Sequence, residues 1–525
     1  MSRSTISESR RAPPGWGARL LGLPLILQLA GCGALLMLLP ALNAAMRGDF
    51  GTLRAFVSAA VLGVAAFVAV GLSISGRGAA WQSDFRNLLS LALAYLLLPL
   101  YLAVPFREAL GTTTFLNAYF EMLSCLTTTG ASLFDNPARL NESLHLWRAL
   151  VGWAGGLLIW VAAAAVLAPL NLGGFEVTAR AEPGEAPAVR DRFERAPADK
   201  RLAQACAGMA PVYLGLTAVL WLLLVVSGEW PFTALVHAMS TLATSGISSV
   251  GGVQNGAGGL GGEMAIFAFF IFALSRLTFS SDTLSGSLSR RRPGLWYDPE
   301  FRLAVLLVAG VPLILFLRHW VGALEVDAGQ DPVRAIEALW GAVFTVLSFL
   351  STTGFESADW QAARDWSGLG TPGLVLLGLA LVGGGVATTA GGVKLLRIYA
   401  LFLHERRELE LLIHPSSLGH ASAGARRLRR FGAQIAWVFF MLFALSLSLV
   451  VVVLGAFGVG MERAMILAIA ALSTTGPLIK VAADVPIRLA EMGAGVKLVL
   501  AMAMVLGRLE TLALIALLNP AQWRR

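Results

Sequence analysis

The sequence predicts an all-α integral membrane protein with two N-terminal helices and four helix–pore-loop–helix repeats around one pseudo-fourfold pore. Of its 525 residues 56% are hydrophobic and 14% are charged, whereas soluble domains carry about 25% charged residues. Apolar runs long enough to cross a bilayer, roughly 20 residues each, recur from Leu20 to the C-terminus. A short phrase rich in Thr, Ser and Gly also recurs four times, and this recurrence predicts the repeats.

Two long helices come first, and each repeat then consists of a long helix, a short helix and a second long helix. The first two helices are predicted near 20–45 and 53–74; the repeats are predicted at 87–105, 114–128 and 147–170, at 203–227, 232–244 and 262–284, at 302–320, 333–352 and 371–400, and at 430–457, 461–474 and 492–518. The middle helices look too short to cross. Non-helical backbone at membrane depth is tolerated only where protein buries it or where it lines a wet cavity. We therefore expect ten spanning helices, four re-entrant ones and a shared central pore.

This rhythm divides the chain into five segments, the first holding the N-terminal cytoplasmic segment and the two extra helices. The next two hold the first repeat, then a linker with the second repeat. The last two hold the third repeat with a Gly-rich loop, then a cytoplasmic linker with the fourth repeat. In order, the segments are 1–80, 81–172, 173–285, 286–400 and 401–525.

The charges predict the orientation of the chain. Loops on one side of the predicted helices hold 26 of the 40 Lys and Arg residues, and cytoplasmic loops carry such an excess. Both termini are therefore predicted to be cytoplasmic. The net charge of +8 could also indicate a nucleic-acid surface, but such patches belong to folded soluble surfaces, and no nucleic-acid partner is expected. The three cysteines have no metal-ligand spacing.

The loops after the short helices repeat one phrase, at 124–131, 240–247, 348–355 and 471–477, with glycines 116, 108 and 122 residues apart. A dehydrated cation needs oxygens in place of its water shell, and backbone carbonyls from four loops can supply them. Hydroxyls of Thr and Ser add oxygens or anchor the loop, and glycine tolerates positive φ. A small-residue site for helix packing would explain one such cluster, but four clusters in equivalent places favour an ion filter.

These phrases resemble the Trk/Ktr/HKT superfamily of potassium transporters, and the two leading helices resemble its Trk-type membrane subunit. Supporting segments are 147–156, 298–302, 414–415, 507–510 and 519–520. The resemblance implies a K⁺ filter, and glycine in all four places favours K⁺ over Na⁺. Ser245 departs from many relatives, which leaves the geometry of the second loop open. The implied filter residues are Thr128, Thr129, Gly130, Thr244, Ser245, Gly246, Thr352, Thr353, Gly354, Thr474, Thr475 and Gly476.

A glycine-rich stretch at 383–394 should break the last helix of the third repeat, because Gly costs about 1 kcal/mol relative to Ala inside a helix. By resemblance it is an intramembrane loop that obstructs the pore until gating moves it. A phosphate-binding loop is the rival interpretation, but the required Gly-Lys-Ser/Thr ending is absent. The implied gating residues are Gly383, Gly384, Gly385, Thr388, Thr389, Gly391, Gly392, Lys394 and Arg508.

Charged and polar residues in the membrane are further candidates. Arg508 lies well inside the predicted last helix, where a charge costs about 2.5–3.5 kcal/mol; by resemblance it projects into the pore, and pairing with Glu510 is the alternative. Lys394 either takes part in gating or snorkels at a helix end. Glu121 and His237 each lie nine residues before a filter glycine, and we expect them to form hydrogen bonds behind the loops.

The predicted function is K⁺ uptake, without catalysis, across the inner (plasma) membrane of a prokaryote by a multi-pass protein. The alternatives are a Na⁺ or non-selective cation transporter of the same fold, an organic-solute secondary transporter and a membrane enzyme. Resemblance implies a homodimer in membrane lipid and a cytoplasmic nucleotide-binding regulatory ring. No cofactor is expected in this chain; ATP, ADP or NAD is expected on the ring, and 401–430 is a candidate docking surface.

Overall fold

The computed structural model describes residues 23–74, 84–170, 172, 198–275, 295–323, 332–368, 371–414, 432–483, 485–510 and 513. Within these ranges the regular structure is helical and there is no β-strand, which confirms the all-α prediction. The predicted N-terminal segment, most of the 173–202 linker and the basic run 426–430 lie outside the described residues.

The leading helices are α1 (Leu25–Leu36), α2 (Leu38–Met46) and α3 (Phe50–Ile74). α1 and α2 together form one span of 22 residues, so two spans precede the repeats as predicted. Asp49 begins α3 by accepting a 3.0 Å hydrogen bond from the Thr52 amide, an N-terminal cap. The Asn141 side chain donates to the same carboxylate at 2.8 Å, which fixes the pair against the first repeat.

The repeats follow in chain order as helices α4 to α17. Their bounds are α4 (Asp84–Leu110), α5 (Phe115–Leu126) and α6 (Glu142–Ala162); α7 (Ala198–Val226), α8 (Pro231–Ala243) and α9 (Gly259–Phe270); α10 (Pro299–Ala323), α11 (Pro332–Leu350), α12 (Trp360–Ser367), α13 (Pro372–Val382) and α14 (Leu395–Ile413); α15 (Ala433–Ala456), α16 (Met461–Leu472) and α17 (Ala494–Leu509). The sequence did not indicate α12. The predicted break in the third repeat is the loop between α13 and α14.

Eight helices of the described ranges are long and apolar enough to cross a membrane, compared with the ten expected. One of the eight comes from α11, so the expectation that every middle helix is too short was wrong there. Three predicted spans are interrupted within the described residues, namely those that contain α9, α13 and α17. α9 and α17 both end at the level of the glycine-rich loop, and residues at their ends contact it.

Both helix ends coincide with contacts to distant parts of the chain. After α9 a 3₁₀ turn at Ile271–Ala273 directs the Ala273 carbonyl to the Gly385 amide at 2.9 Å; residues 276–284 of the predicted helix lie outside the described residues. Glu510 has φ of +64°, which a right-handed helix cannot contain. α17 therefore ends at Leu509 and Arg508 lies in its last turn; most of the predicted continuation to 518 lies outside the described residues.

Candidate functional site

The four Thr/Ser/Gly loops share one unusual backbone conformation. The first threonine of each predicted filter pair has a left-handed φ, between +49° and +59°. This region is disfavoured for β-branched residues, so the surrounding structure must enforce it four times. The four residues are Thr128, Thr244, Thr352 and Thr474.

A common set of hydrogen bonds enforces that conformation. In each loop the amide after the left-handed threonine donates to the carbonyl five residues earlier, at 2.9–3.0 Å. The hydroxyl of this second filter residue also forms a hydrogen bond of 2.8–3.1 Å with a hydroxyl of its own loop or pore helix. Ser245 follows the same pattern through Ser240, so the departure at this position leaves the loop geometry intact. The donating amides belong to Thr129, Ser245, Thr353 and Thr475.

The loops contact one another in cyclic order. A Cβ atom at Gly130 would overlap the Ser245 carbonyl oxygen, and one at Gly246 would overlap the Thr353 carbonyl oxygen. A Cβ atom at Gly354 would likewise crowd the Pro477 ring of the fourth loop. The ring closes where the Gly476 amide donates to the Thr129 carbonyl at 2.6 Å. Loops that lie 108–122 residues apart in sequence therefore meet around one centre.

Gly476 differs from the other three filter glycines. Gly130, Gly246 and Gly354 have φ of +66° to +81°, as expected, but Gly476 does not have positive φ. Pro477 follows it, and the residue before a proline favours extended backbone. Gly476 is required by space instead, because a Cβ atom there would overlap the Ala131 amide.

A cavity of about 170 Å³ opens above the ring, and all four glycines line it. Its charged lining residues are Arg148, Glu356 and Lys480. None of the four loop phrases carries an acid. Within the described ranges no three His, Cys, Asp or Glu side chains are placed to hold a metal ion. Oxygens of the backbone and of hydroxyl groups are therefore the ligands that the ring offers.

The left-handed threonines are buried, yet most of their hydroxyls are unpaired. Thr128, Thr244 and Thr474 have no hydrogen-bond partner for Oγ1 among the described residues. A buried hydroxyl without a partner costs about 1–3 kcal/mol. Three such oxygens at equivalent places of one ring are suited to coordinating a cation.

Glu121 and His237 lie behind the loops, as the sequence suggested. Glu121 is buried and forms a 2.7 Å ion pair with Arg148, and it accepts a hydrogen bond from the Leu133 amide at 3.0 Å. His237 contacts the Ser248 hydroxyl at 2.8 Å. Both side chains therefore support the backbone that leaves the ring.

The glycine-rich loop lies directly against the opposite side of the ring. The Gly391 amide donates to Thr352 Oγ1 at 2.8 Å. The Thr389 hydroxyl donates to the Leu242 carbonyl at the end of α8, at 3.2 Å. The loop therefore bonds to the second and third repeats at once.

The loop is folded by its own backbone as well. Gly383 and Gly392 have φ of +73° and +80°. A Cβ atom at Gly383 would overlap the Gly391 carbonyl oxygen, and one at Gly392 would overlap the Cα atom of Gly383. At Gly384 a Cβ atom would crowd Ala390, and at Gly385 it would crowd the Leu274 carbonyl. The Thr388 hydroxyl donates to the Gly385 carbonyl at 2.8 Å. Small residues are therefore required at the loop's closest approaches.

Arg508 donates from Nη1 to the Thr389 carbonyl at 2.7 Å. The alternative of pairing with Glu510 is not what the structure shows, because Glu510 forms a 2.6 Å ion pair with Arg397. Lys394 is 7% exposed and its amine donates to the Ala390 carbonyl. Lys394 therefore does not snorkel; it closes the loop from within.

A second cavity, of about 20 Å³, lies between the glycine-rich loop, α17 and the end of α6. Gly391, Gly392, Lys394 and Arg508 line it. Space of this size holds about one water molecule. Little open space therefore remains between the glycine-rich loop, α17 and the end of α6.

Sequence reasoning assigned no role to Glu300, which also holds the loop. Its Oε1 accepts a hydrogen bond from the Val386 amide at 2.9 Å, and the side chain is fully buried. The sequence carried no specific signal, because an acid in the first turn of a helix is common. The partner lies 86 residues away, beyond what spacing can indicate.

Comparison with known proteins identifies the family. The model of the TrkH family, described as a cation transport protein, matches residues 264–522. The Trk system potassium uptake protein TrkH of Halomonas elongata is 30% identical over 413 residues, covering 78% of this chain and 80% of that protein. The TrkH of Salmonella typhimurium is 30% identical over 411 residues, with 78% and 80% covered. This chain belongs to the TrkH family.

The fold agrees with that of a solved TrkH protein. The crystal structure of the potassium transporter TrkH from Vibrio parahaemolyticus matches with a TM-score of 0.77 at 25% identity, covering 97% of this chain and 100% of that chain. The resemblance to the Trk-type membrane subunit is thus confirmed. TrkH relatives are transporters rather than enzymes, which confirms the prediction of no catalytic activity. They are multi-span bacterial proteins, and an inner-membrane location follows.

Proposed function

We propose that the chain takes up K⁺ across the bacterial inner membrane, with the ring of four loops as its selectivity filter. The observation that carries the proposal is the cyclic contact of four loops with one shared backbone conformation. A ring of this kind would allow carbonyl oxygens of the four loops to surround a common axis, which is what a dehydrated monovalent cation requires. The relatives that match most of the chain are named potassium uptake proteins.

The glycine-rich loop at 383–394 is the proposed gate. It occupies the space beneath the ring, and Arg508 adds a positive charge there, which repels a passing cation. Its contacts with Thr352, Leu242 and Arg508 are hydrogen bonds, and its Val386 packs against Leu396 and Ala400 of α14. A partner that moves α14 or α17 can therefore release the loop without unfolding the helix bundle.

The test is ⁸⁶Rb⁺ uptake into proteoliposomes in competition with K⁺ or Na⁺. The variant is Gly130→Ser, because any Cβ atom at this position overlaps the Ser245 carbonyl oxygen and displaces a filter ligand. Gly310→Ser is the matched control, because Gly310 lies in α10 and a Cβ atom there would have no neighbouring atom within 4 Å outside its own helix turn. We expect K⁺ to compete much better than Na⁺ in the wild type and in the control, and the preference to weaken in Gly130→Ser.

Two outcomes would contradict this proposal. Equal competition by Na⁺ and K⁺ in the wild type would favour a non-selective cation transporter of the same fold. An unchanged preference in Gly130→Ser would remove the ring from the role of filter.

The family resemblance also underlies the proposed assembly, a homodimer that recruits a cytoplasmic nucleotide-binding ring. The end of α14 supports a docking role, because its Leu412 and Ile413 are 79% and 71% exposed beside the exposed Arg406. Reversing the charge with Arg406→Glu and Arg407→Glu should reduce co-purification of the ring subunit. Unchanged recovery of that subunit would place the docking surface elsewhere.

A further inference from the structure

In three of the four filter loops, a serine two or three residues after the glycine makes the same pair of hydrogen bonds. The serine hydroxyl accepts a hydrogen bond from the amide two residues later, at 3.1–3.2 Å. The same hydroxyl contacts a buried polar side chain at 2.7–3.0 Å. The serines are Ser132, Ser248 and Ser357. In the fourth loop Pro477 follows the glycine and no serine occupies this place.

In the first two repeats the buried side chain belongs to the repeat's own pore helix. Glu121 of α5 contacts Ser132, and His237 of α8 contacts Ser248. Both residues lie nine positions before their filter glycine. This shared spacing makes the two side chains equivalent anchors for the chain that leaves the filter.

The third repeat has a shorter residue at that position. Thr345 accepts a 3.3 Å hydrogen bond from the Ser357 amide, but its side chain does not contact the Ser357 hydroxyl. Glu263 makes that contact instead, at 2.7 Å. It lies on α9, the last helix of the second repeat, 94 residues away in sequence. The third anchor is thus supplied by the neighbouring repeat.

The surroundings of Glu263 resemble those of Glu121. One oxygen of Glu263 accepts from the Ser357 hydroxyl and the other from the Ala358 amide, both at 2.7 Å; Glu121 accepts from a serine hydroxyl and from the following amide in the same manner. Glu263 also accepts from Trp340 Nε1 at 2.8 Å. It is only 3% exposed, so these donors replace its lost hydration.

We propose that Glu263 is the positioning residue that fixes the third filter loop, and thereby contributes to ion selectivity across the boundary between two repeats. This inference rests on the proposed function, because selectivity has meaning only if the ring is the filter. The mechanism is geometric: Ser357 lies three residues after Gly354, so a displacement of its hydroxyl is transmitted to the filter carbonyls. A hydrogen bond to an ionised acceptor is shorter and about twice as strong as a neutral one, which suits a positioning role.

The test replaces the acceptor without changing its size. Glu263→Gln puts an NH₂ group where one of the donors points, so one of the three hydrogen bonds is lost. The measured quantity is the ratio of the Na⁺ concentration to the K⁺ concentration that halves ⁸⁶Rb⁺ uptake. We expect the preference for K⁺ in this ratio to fall roughly tenfold. This is the lower end of the loss in metal affinity when a residue that orients a ligand is mutated. Glu491→Gln is the matched control, because Glu491 is 70% exposed and pairs with the exposed Arg488.

Two milder variants guard against a folding defect. Ser357→Ala and Trp340→Phe each remove one donor to Glu263 and leave the carboxylate in place. We expect Ser357→Ala to shift the ratio in the same direction as Glu263→Gln. The double variant Glu263→Gln/Ser357→Ala should shift the ratio no further than Glu263→Gln alone, because residues of one hydrogen-bond network do not act additively.

The outcomes separate the two proposals. If wild type and the three variants show the same ratio, and the variants only lose thermal stability, Glu263 is a structural residue and the inference is overturned. Additive shifts in the double variant would also overturn it. If the wild type itself does not discriminate between K⁺ and Na⁺, the proposed function fails first, and the role of Glu263 in selectivity fails with it.

Discussion

The amide of Gly391 donates a 2.8 Å hydrogen bond to the hydroxyl of Thr352, so the glycine-rich loop is bonded directly to the third filter loop. Thr352 is one of the four left-handed threonines, and its counterparts Thr128, Thr244 and Thr474 have no partner for the hydroxyl among the described residues. The proposed gate and the proposed filter therefore share a side chain.

Thr352→Val should weaken the closed state. It removes the acceptor and leaves the buried Gly391 amide unpaired, at a cost of about 1–3 kcal/mol. We expect ⁸⁶Rb⁺ uptake by the protein without its regulatory partner to rise severalfold. Thr352→Ser keeps the hydroxyl and should behave like the wild type. Equal basal uptake in all three proteins would show that this bond does not hold the loop.

Arg508→Gln should also increase basal uptake. The substitution removes the positive charge that lines the cavity of about 20 Å³ beside the glycine-rich loop, and it alters the donor to the Thr389 carbonyl. Arg508→Lys keeps the charge and should stay closer to the wild type. The measurement is ⁸⁶Rb⁺ flux at low and high ionic strength, because a charge effect is reduced by salt. A lysine variant that leaks as much as the glutamine variant would point to geometry rather than charge.

Glu356 should make uptake sensitive to pH. It lines the cavity of about 170 Å³ above the ring together with Lys480. Burial raises the pKa of its carboxyl above the ordinary value, while Arg364 and Lys480 oppose that rise. As the pH falls through this raised pKa, the cavity loses a negative charge and attracts fewer cations. At low Rb⁺ concentration, uptake should therefore fall on acidification before the pH reaches the ordinary range of a glutamate carboxyl.

Glu356→Gln is the variant that separates this group from others. It should be slower than the wild type at neutral pH and should respond less to acid, whereas Glu491→Gln should keep the wild-type profile. Identical profiles for Glu356→Gln and the wild type would assign any pH dependence to another residue.

The buried ion pair of Arg397 and Glu510 should matter for stability. Removing one partner of such a pair costs about 3–5 kcal/mol of stability. Glu510→Ala should fall at the lower end of this range, because Arg397 keeps its hydrogen bond to the Val393 carbonyl and its guanidinium remains 3.5 Å from the centre of the Phe439 ring. We expect a lower midpoint of thermal unfolding, measured by tryptophan fluorescence in detergent. Glu408→Ala, at an exposed site of α14, should change little.

The positions of the four Thr/Ser/Gly loops could be predicted from sequence because their pattern is local and repeated. Thr, Ser and Gly at fixed positions after a short helix occur four times, and spacing alone predicts equivalent places. The left-handed φ of Thr128 and its equivalents could not be predicted, because threonine itself disfavours this conformation. It is enforced by hydrogen bonds from the next amide to the carbonyl five residues earlier. Gly476 likewise departed from expectation because its neighbour is a proline.

Helix ends near the glycine-rich loop were the least predictable part of the fold. Apolar composition continues past Phe270 and Leu509, so hydropathy extends both helices. Their ends depend on the Ala273 carbonyl and on Glu510, whose partners come from distant parts of the chain. Tertiary contacts therefore decided these boundaries.

The sequence by itself determined that this chain lies in a membrane, repeats one unit four times and places oxygen-rich loops after short helices, because hydrophobicity and periodicity are properties of neighbouring residues. Only the tertiary structure decided which side chains hold those loops. Glu263, Glu300 and Arg397 act on partners 86 to 113 residues away, and a buried charge finds its partner through packing rather than through spacing.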